Sequence, residues 1–131
     1  MRLLLDTHIW LWSQLRPEKV RRRVARAIDD PRNELWLSPI SVWEIVLLAQ
    51  GGRLRLEPTV DAWIAHALVQ LPLKEAPITH EIAAEAPRVP LPHQDPADRF
   101  LVATAKVLDL TLVTGDQQML KVPGLSVLAN R

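Results

Sequence analysis

Short apolar runs alternate with longer amphipathic stretches along the whole chain. Apolar runs of four or five residues are typical of buried strands, whereas apolar residues three and four positions apart predict helices. Strands are expected at 2–5, 34–37, 110–113 and 124–128, with a short extended piece within 73–78. Helices are expected at 7–15, 18–29, 39–50, 58–70, 80–86, 95–108 and 117–121. This alternation predicts a three-layer α/β/α domain with a central, mainly parallel sheet.

Turn and cap residues mark the ends of several of these elements. Asp95 followed by Pro96 is a helix-start signature, because the aspartate oxygen accepts an early free N–H and proline is tolerated at the first helical position. Gly51 and Gly52 are expected to end the helix that begins near Ser38. Three prolines make residues 87–94 a stiff loop that leads into the helix at Asp95. The segment 53–57 alternates in polarity without a clear assignment.

Two carboxylates, Glu44 and Asp98, fall on helix faces that the periodicity assigns to the core. The apolar residues that share a stripe with Asp98 are Leu101, Val102, Ala105 and Leu108. The apolar residues that share a stripe with Glu44 are Ile40, Trp43, Leu47 and Leu48. A carboxylate on such a face needs a partner, because burying an unpaired charge is costly.

Two further acids, Asp6 and Asp116, each follow a predicted strand. In parallel α/β sheets the reactive residues gather beyond the carboxyl ends of the strands, so the fold can bring these two acids to the same place as Glu44 and Asp98. Several buried carboxylates together repel one another unless they hold protons or share a cation. A bound Mg²⁺ or Mn²⁺ would offset this repulsion, because both ions prefer oxygen ligands. The four acids therefore favour a site for metal-dependent phosphodiester hydrolysis.

Each acid also has a purely structural interpretation. Asp6 and Asp95 can serve only as helix caps, and Asp116 after Gly115 can be an ordinary turn residue. Glu44 can be the back-reaching half of a capping box with Ser41. These interpretations do not combine easily, because capping explains neither the two interrupted apolar stripes nor the two strands that both end in an acid. We therefore favour one acidic site.

Composition narrows the class of protein without selecting a ligand. The 131 residues are expected to form a single domain over 1–131, and 48% hydrophobic with 24% charged residues is typical of a globular chain. The net charge of +1 implies no bulk attraction to nucleic acid or to a membrane. The absence of cysteine excludes disulfides and thiolate metal sites. The longest unbroken apolar run is far shorter than the roughly 20 residues of a membrane helix, and a cytoplasmic protein is expected.

Four motifs, taken in order, resemble those of the PIN domain, and most closely those of VapC-type toxins from prokaryotic toxin–antitoxin modules. The motifs are Asp6-Thr7-His8, Ser41-Val42-Trp43-Glu44, Asp95-Pro96-Ala97-Asp98-Arg99 and Thr114-Gly115-Asp116. The resemblance covers essentially the whole chain. It implies an endoribonuclease with a Mg²⁺ or Mn²⁺ site, a homodimer, and a cognate antitoxin that blocks the active site within a larger toxin–antitoxin complex.

The resemblance also assigns roles to individual residues. The acidic quartet of the family falls on Asp6, Glu44, Asp98 and Asp116, which the resemblance makes the catalytic and metal-binding residues. Thr114 corresponds to the hydroxyl that positions an acid or a water molecule. Supporting or substrate-contacting roles are expected for Thr7, Asp95 and Arg99, and Arg99 can alternatively pair with one of the acids. The family often has asparagine where this chain has His8, so no ligand role is assigned to His8.

Residues outside the motifs allow more than one interpretation. The arginines at 21, 22, 23 and 26 form either a phosphate-binding face or an ordinary solvated face. Trp10 and Trp12 are expected at a partner interface, because both lie on the first helix and cannot easily share one core-facing side. His93 can be a general base, but its position among prolines favours an ordinary loop residue.

Two other functional classes compete with the nuclease. A degenerate PIN-like binding module would keep the fold without binding metal. A phosphoacceptor signalling domain is also α/β with acids at strand ends, but it requires adjacent acids at one strand end and a reactive lysine after a later strand, and neither is present.

Overall fold

Five parallel strands form the central sheet of the protein. The structure, a computed structural model, describes all of residues 1–131. The strands are β1 (Arg2–Leu5), β2 (Glu34–Leu37), β3 (Leu73–Glu75), β4 (Thr111–Thr114) and β5 (Val127–Ala129). Their order across the sheet is β3-β2-β1-β4-β5, and every neighbouring pair is parallel. The prediction of a mainly parallel sheet is confirmed, and no antiparallel strand interrupts it.

Seven helices connect and cover the strands. They are α1 (Thr7–Leu15), α2 (Arg22–Asp29), α3 (Pro39–Gln50), α4 (Val60–Gln70), α5 (His80–Glu85), α6 (Pro96–Val107) and α7 (Gln117–Leu120). Two short 3₁₀ turns lie at Pro17–Lys19 and Ala86–Arg88. No helix combines the length and the apolar character that crossing a lipid bilayer requires.

The alternation of side chains along β1 creates two apolar cores, one on each face of the sheet. Leu3 and Leu5 point into a cluster of 17 buried residues that includes side chains of α1, α2 and α4. Leu4 points to the opposite face, into a cluster of 16 buried residues that includes side chains of α5, α6 and α7. Because successive strand residues face opposite sides, one strand supplies both cores. The predicted three-layer α/β/α arrangement is confirmed.

The structure has a 3₁₀ turn and a separate helix where one helix was predicted over 18–29. Contacts from Asn130, near the C-terminus, accompany the break. The structure has a 3₁₀ turn at Pro17–Lys19, and α2 begins only at Arg22. The Asn130 side chain donates from Nδ2 to the Lys19 carbonyl over 3.1 Å and accepts from the Arg21 N–H over 2.8 Å. These two hydrogen bonds satisfy the backbone where the helix is broken, a contact that local periodicity does not contain.

The apolar stripe predicted for α3 is wrong by part of a turn. Trp43 and Leu47, which were expected in the core, are 45% and 44% exposed, whereas Ser41 and Ile45 are fully buried. The helix packs against α1, α4 and α6, so it turns the side bearing Ser41 and Ile45 inward. Glu44 then lies at the edge of the buried face and is half-buried.

Other differences from the sequence expectations are small. The last two strands are displaced toward the C-terminus, since β4 begins at Thr111 and β5 at Val127, and β3 ends at Glu75. Residues 53–57 contain no helix or strand. Gly51 and Gly52 end α3 as predicted, and Gly52 has a φ of 73°, a conformation that favours glycine.

Candidate active site

A cavity of about 420 Å³ opens at the carboxyl ends of β1 and β4. Five carboxylates line it: Asp6, Glu44, Asp95, Asp98 and Asp116. They come from the end of β1, from α3, from the start of α6 and from the end of β4. The structure therefore brings together all four members of the predicted acidic quartet and the additional acid Asp95.

A threonine at the end of β4 connects two of these acids. Thr114 Oγ1 donates to Asp6 Oδ2 over 2.7 Å and accepts from the Asp116 backbone N–H over 3.0 Å. The single hydroxyl proton of Thr114 is thus directed at Asp6. Asp6 stands at the N-cap position of α1, but its side chain makes no capping hydrogen bond. A cap alone does not explain Asp6, which is only 7% exposed.

Asp116 combines a local role with its place in the cavity. Its Oδ1 accepts from the backbone N–H groups of Gln118 and Met119 over 2.8 and 3.1 Å, which caps α7. The interpretation of this residue as an ordinary turn residue is therefore replaced by a helix cap. The same hydrogen bonds fix the direction of the carboxylate that lines the cavity.

The first turn of α1 is joined to α3 by a buried hydrogen bond between two hydroxyls. Thr7 Oγ1 donates to Ser41 Oγ over 2.8 Å, and both residues are fully buried. Ser38, not Ser41, caps α3 by accepting from the Ile40 N–H. The predicted capping box between Ser41 and Glu44 is therefore not formed. Thr7 instead supports the site indirectly, because it fixes α3, and with it Glu44, relative to Asp6.

The start of α6 separates the roles of its two acids. Asp95 Oδ1 accepts from the Ala97 N–H over 3.0 Å and caps the helix, as predicted. Asp98 lies one turn further along and directs Oδ2 toward His93 Nε2, 3.4 Å away. His93 Nδ1 accepts from the Asp95 N–H over 3.2 Å, so its ring proton is assigned to Nε2. His93 therefore turns Nε2 toward Asp98, in a polar contact without hydrogen-bond geometry.

The sequence favoured an ordinary loop residue at His93, but the structure places this side chain beside two of the acids. One potential ligand atom from each of His93, Asp98 and Asp116 lies within 4.8 Å of the others. The signal in the sequence is the spacing of His93 two residues before a capping aspartate, which lets Nδ1 accept the Asp95 N–H. The surrounding prolines hid that signal.

Arg99 holds the loop that carries His93 and forms no ion pair with the acids. Its guanidinium donates to the carbonyls of Val89, Leu91 and His93 over 2.8 to 3.0 Å, and more weakly to that of Pro87 over 3.4 Å. The alternative considered for Arg99, an ion pair with one of the acids, is therefore not formed. Its direct role is to fix the path of the loop over 87–93.

The acids of this cavity form no ion pair with an arginine or a lysine. None of the ion pairs in the structure joins an arginine or a lysine to any of the five carboxylates. Burial, and after it the charges of the neighbouring acids, together raise the pKa of Asp98 to about 7. The pKa of Asp6 is raised to about 6, because burial and the charge of Glu44 outweigh the opposing effects of the Thr114 hydrogen bond and of His8.

The remaining sequence candidates fall into three places. Trp10 is fully buried against Trp63 in the core, so the expectation that it lies at a partner interface is wrong. His8 and Trp12 line the same cavity as the acids. The arginines at 21, 22, 23 and 26 are all exposed on α2 and the residue preceding it.

Comparison with known proteins agrees with this arrangement. Residues 3–125 match the family model of the PIN domain. The chain belongs to the PIN-domain family. The matched range contains all four acids of the predicted quartet.

Individual relatives support the same family. The chain is 31% identical to Ribonuclease VapC22 of Mycobacterium tuberculosis over 118 residues, which is 89% of this PIN domain and 88% of the relative. Among solved structures, VapBC2 from Rickettsia felis bound to a DNA fragment from their promoter matches with a TM-score of 0.72 at 14% identity, covering 98% of each chain. FitAcB from Neisseria gonorrhoeae matches with a TM-score of 0.65 at 25% identity, covering 98% of this chain and 97% of that one.

Proposed function

We propose that this PIN domain is a metal-dependent endoribonuclease that hydrolyses RNA phosphodiester bonds, and that it is the toxin of a toxin–antitoxin pair. The observation that carries the proposal is the convergence of Asp6, Glu44, Asp98 and Asp116 on one cavity from four separate places in the chain. The similarity to a relative named as a ribonuclease supports the choice of reaction.

The donor set of the cavity fits a hard divalent cation. Its carboxylate oxygens are the ligands that Mg²⁺ and Mn²⁺ prefer. The pKa values of Asp6 and Asp98 are raised first by burial and then by neighbouring acids, both of which favour a bound cation over several bare charges. We assign the metal to Asp6, Glu44, Asp98 and Asp116. When bound, such an ion supplies positive charge at the phosphodiester and lowers the pKa of the attacking water.

Contacts within the protein hold the site carboxylates in position before substrate binds. Thr114 keeps Asp6 Oδ2 in place through its hydroxyl proton and keeps Asp116 in place through the backbone N–H. His93 Nε2 lies 3.4 Å from Asp98 Oδ2 and places a polar partner beside that carboxylate. Because each acid is oriented by a hydrogen bond or a packed helix, little reorganisation is needed when substrate arrives.

Cleavage of single-stranded RNA by the purified chain tests the reaction. With Mn²⁺ or Mg²⁺ we expect cut products in a denaturing gel, and with excess EDTA we expect none. The Asp6→Asn variant should be inactive, whereas Asp61→Asn, which changes an exposed aspartate on α4, should cleave like the native protein. Cleavage that persists in EDTA, or no cleavage with either metal, would contradict the proposal. In the latter case, calorimetric titration without a metal-binding signal would favour the degenerate binding module.

Metal binding should reverse a pH-dependent loss of stability. The pKa values of Asp6 and Asp98 lie above the ordinary 3.8, so the folded protein holds these protons more tightly than the unfolded chain does. That stability is fully present below about pH 4 and is lost as the pH rises through the folded values near 6 and 7. The melting temperature of the metal-free protein should therefore fall between about pH 5 and about pH 8. Saturating Mn²⁺ should raise it most at the upper end, whereas equal shifts at both ends would contradict this assignment.

The toxin assignment needs its own evidence. The similarity to the structure of VapBC2 from Rickettsia felis supports an antitoxin as the partner of this PIN domain. A homodimer is part of the same proposal, and exposed apolar residues such as Trp43 and Leu47 on α3 and Val69 on α4 offer apolar surface for assembly. Induced expression should arrest growth, the Asp98→Asn variant should not, and co-expression of the product of the adjacent open reading frame should restore growth. Unchanged growth with an active nuclease would separate the enzyme from the toxin role.

A further inference from the structure

Two aromatic side chains, His8 and Trp12, line the cavity that holds the acids and are called the aromatic wall below. His8 and Trp12 lie one helical turn apart on α1 and both line the cavity, with ring centroids 5.6 Å apart and ring planes inclined by 53°. Trp12 is half-buried and His8 is exposed. Trp10 on the same helix shows the contrast, because it is fully buried and packs on Trp63.

Basic groups flank this aromatic wall. Lys19 Nζ lies 5.3 Å from the ring centroid of Trp12. The Asn130 side chain, which also lines the cavity, bonds to the backbone of Lys19 and Arg21 and so fixes this basic segment beside the cavity. The same cavity therefore has an acidic wall, an aromatic wall and a basic rim.

We propose that His8 and Trp12 form a nucleobase-stacking subsite for a nucleotide next to the cleaved phosphodiester, with Lys19 contacting a phosphate of the same strand. This inference rests on the proposed endoribonuclease function and specifies how its substrate is held. The five carboxylates repel a polyanion, so the RNA needs attractive contacts elsewhere in the cavity. The Lys19 ammonium lies over the Trp12 ring, so the base takes the place of this flexible side chain and the ammonium moves to a phosphate. An aromatic surface with a cation beside it is the combination that proteins use for single-stranded nucleic acid.

Such a subsite tolerates different bases, because every base presents a π-face to the indole. The cavity of about 420 Å³ is within the range of small-ligand pockets and is larger than a metal ion alone requires. Recognition would then depend on an unpaired, accessible base, which favours single-stranded regions of RNA over duplex.

An abasic scan in the Asp98→Asn background, which prevents cleavage, tests the subsite. Binding of short RNAs that each carry one abasic nucleotide is measured by fluorescence anisotropy. Loss of the stacked base should weaken binding about 5- to 100-fold at one position. Adding Trp12→Leu should weaken binding of intact RNA by a similar factor and remove the sensitivity at that position. Adding Trp12→Phe should retain most of the sensitivity, because an aromatic face remains.

The chain provides a matched control in Trp36. This indole is also half-buried and has Arg2 and Lys74 over its ring, but it does not line the cavity. Trp36→Leu should leave the abasic profile unchanged. Lys19→Gln should weaken all RNAs alike and lower the slope of log affinity against log salt concentration by about one.

Failure of the subsite can be told apart from failure of the proposed function. If native protein cleaves RNA but Trp12→Leu leaves the abasic profile and affinity unchanged, the subsite is refuted and the nuclease stands. If Trp12→Leu weakens only the complex with the antitoxin, the aromatic wall is a protein-binding surface and the subsite is again refuted. If native protein does not cleave RNA at all, the proposed function itself fails.

Discussion

Replacing Asp98 by asparagine is expected to abolish measurable RNA cleavage and, at the same time, to raise the melting temperature of the metal-free protein near neutral pH. Asparagine has nearly the same shape and still offers an oxygen to the Nε2 proton of His93, 3.4 Å away in the native protein. The variant removes one negative charge from a site where burial and neighbouring acids already raise the pKa of Asp98 to about 7. The substitution therefore keeps the fold and reduces charge repulsion, while it removes a metal ligand.

The size of the activity loss follows from what a divalent ion contributes. Stabilisation of the transition state by several kcal/mol corresponds to about 10²- to 10⁴-fold in rate. Single-turnover cleavage and thermal unfolding with and without Mn²⁺ measure both effects on one preparation. Asp61→Asn on the surface of α4 should alter neither quantity. A lower melting temperature for metal-free Asp98→Asn would show that the native carboxylate is stabilising, which would contradict the electrostatic account.

Replacing Arg99 by methionine is expected to destabilise the protein by about 2–4 kcal/mol, because it leaves buried carbonyls of the preceding loop without donors. The guanidinium donates to Val89, Leu91 and His93 over distances up to 3.0 Å. Methionine keeps much of the length of the side chain and supplies no donor. Lysine should restore little, since one ammonium group cannot reach the planar set of acceptors that the guanidinium spans.

The same variant should also impair cleavage per folded molecule. The loop that Arg99 holds carries His93, which lies beside Asp98, so a loosened loop should weaken metal affinity by about 10- to 100-fold. Urea denaturation and calorimetric titration with Mn²⁺ measure the two effects. Arg88→Met changes an exposed arginine of the neighbouring 3₁₀ turn and serves as the control. Native metal affinity in a destabilised Arg99→Met protein would show that the loop does not position the site.

The fold was predictable where local patterns and global packing agree. The leucines of β1 and the run that becomes β4 are short, apolar and followed by acids, so both their burial and the position of those acids follow from sequence. The half-exposed helix α3 was harder, because Trp43 and Leu47 are apolar but exposed, and the packing of α1 and α6 decides which side is buried. Periodicity identifies an apolar stripe but cannot say which neighbours cover it.

Some residues of the candidate site could be predicted from the sequence, and others could not. Residues that follow strands or begin helices, such as Asp6 and Asp98, could be proposed because the topology places strand ends and helix starts together. His93 and Arg99 could not be placed, because their roles depend on how a loop rich in proline folds back over α6. The break between Lys19 and Arg22 was equally hidden, since Asn130 makes the decisive contacts from 109 and 111 residues away.

The sheet itself limits how other chains can attach to this protein. Its two outer strands, β3 and β5, contain only three residues each, and β3 carries the charged residues Lys74 and Glu75. Short, charged borders are poor templates for adding a foreign strand, so growth of the sheet into a second molecule is disfavoured. Stable complexes should therefore form through helical faces and loops, and a partner that binds in an extended form should rely on side-chain contacts more than on main-chain pairing.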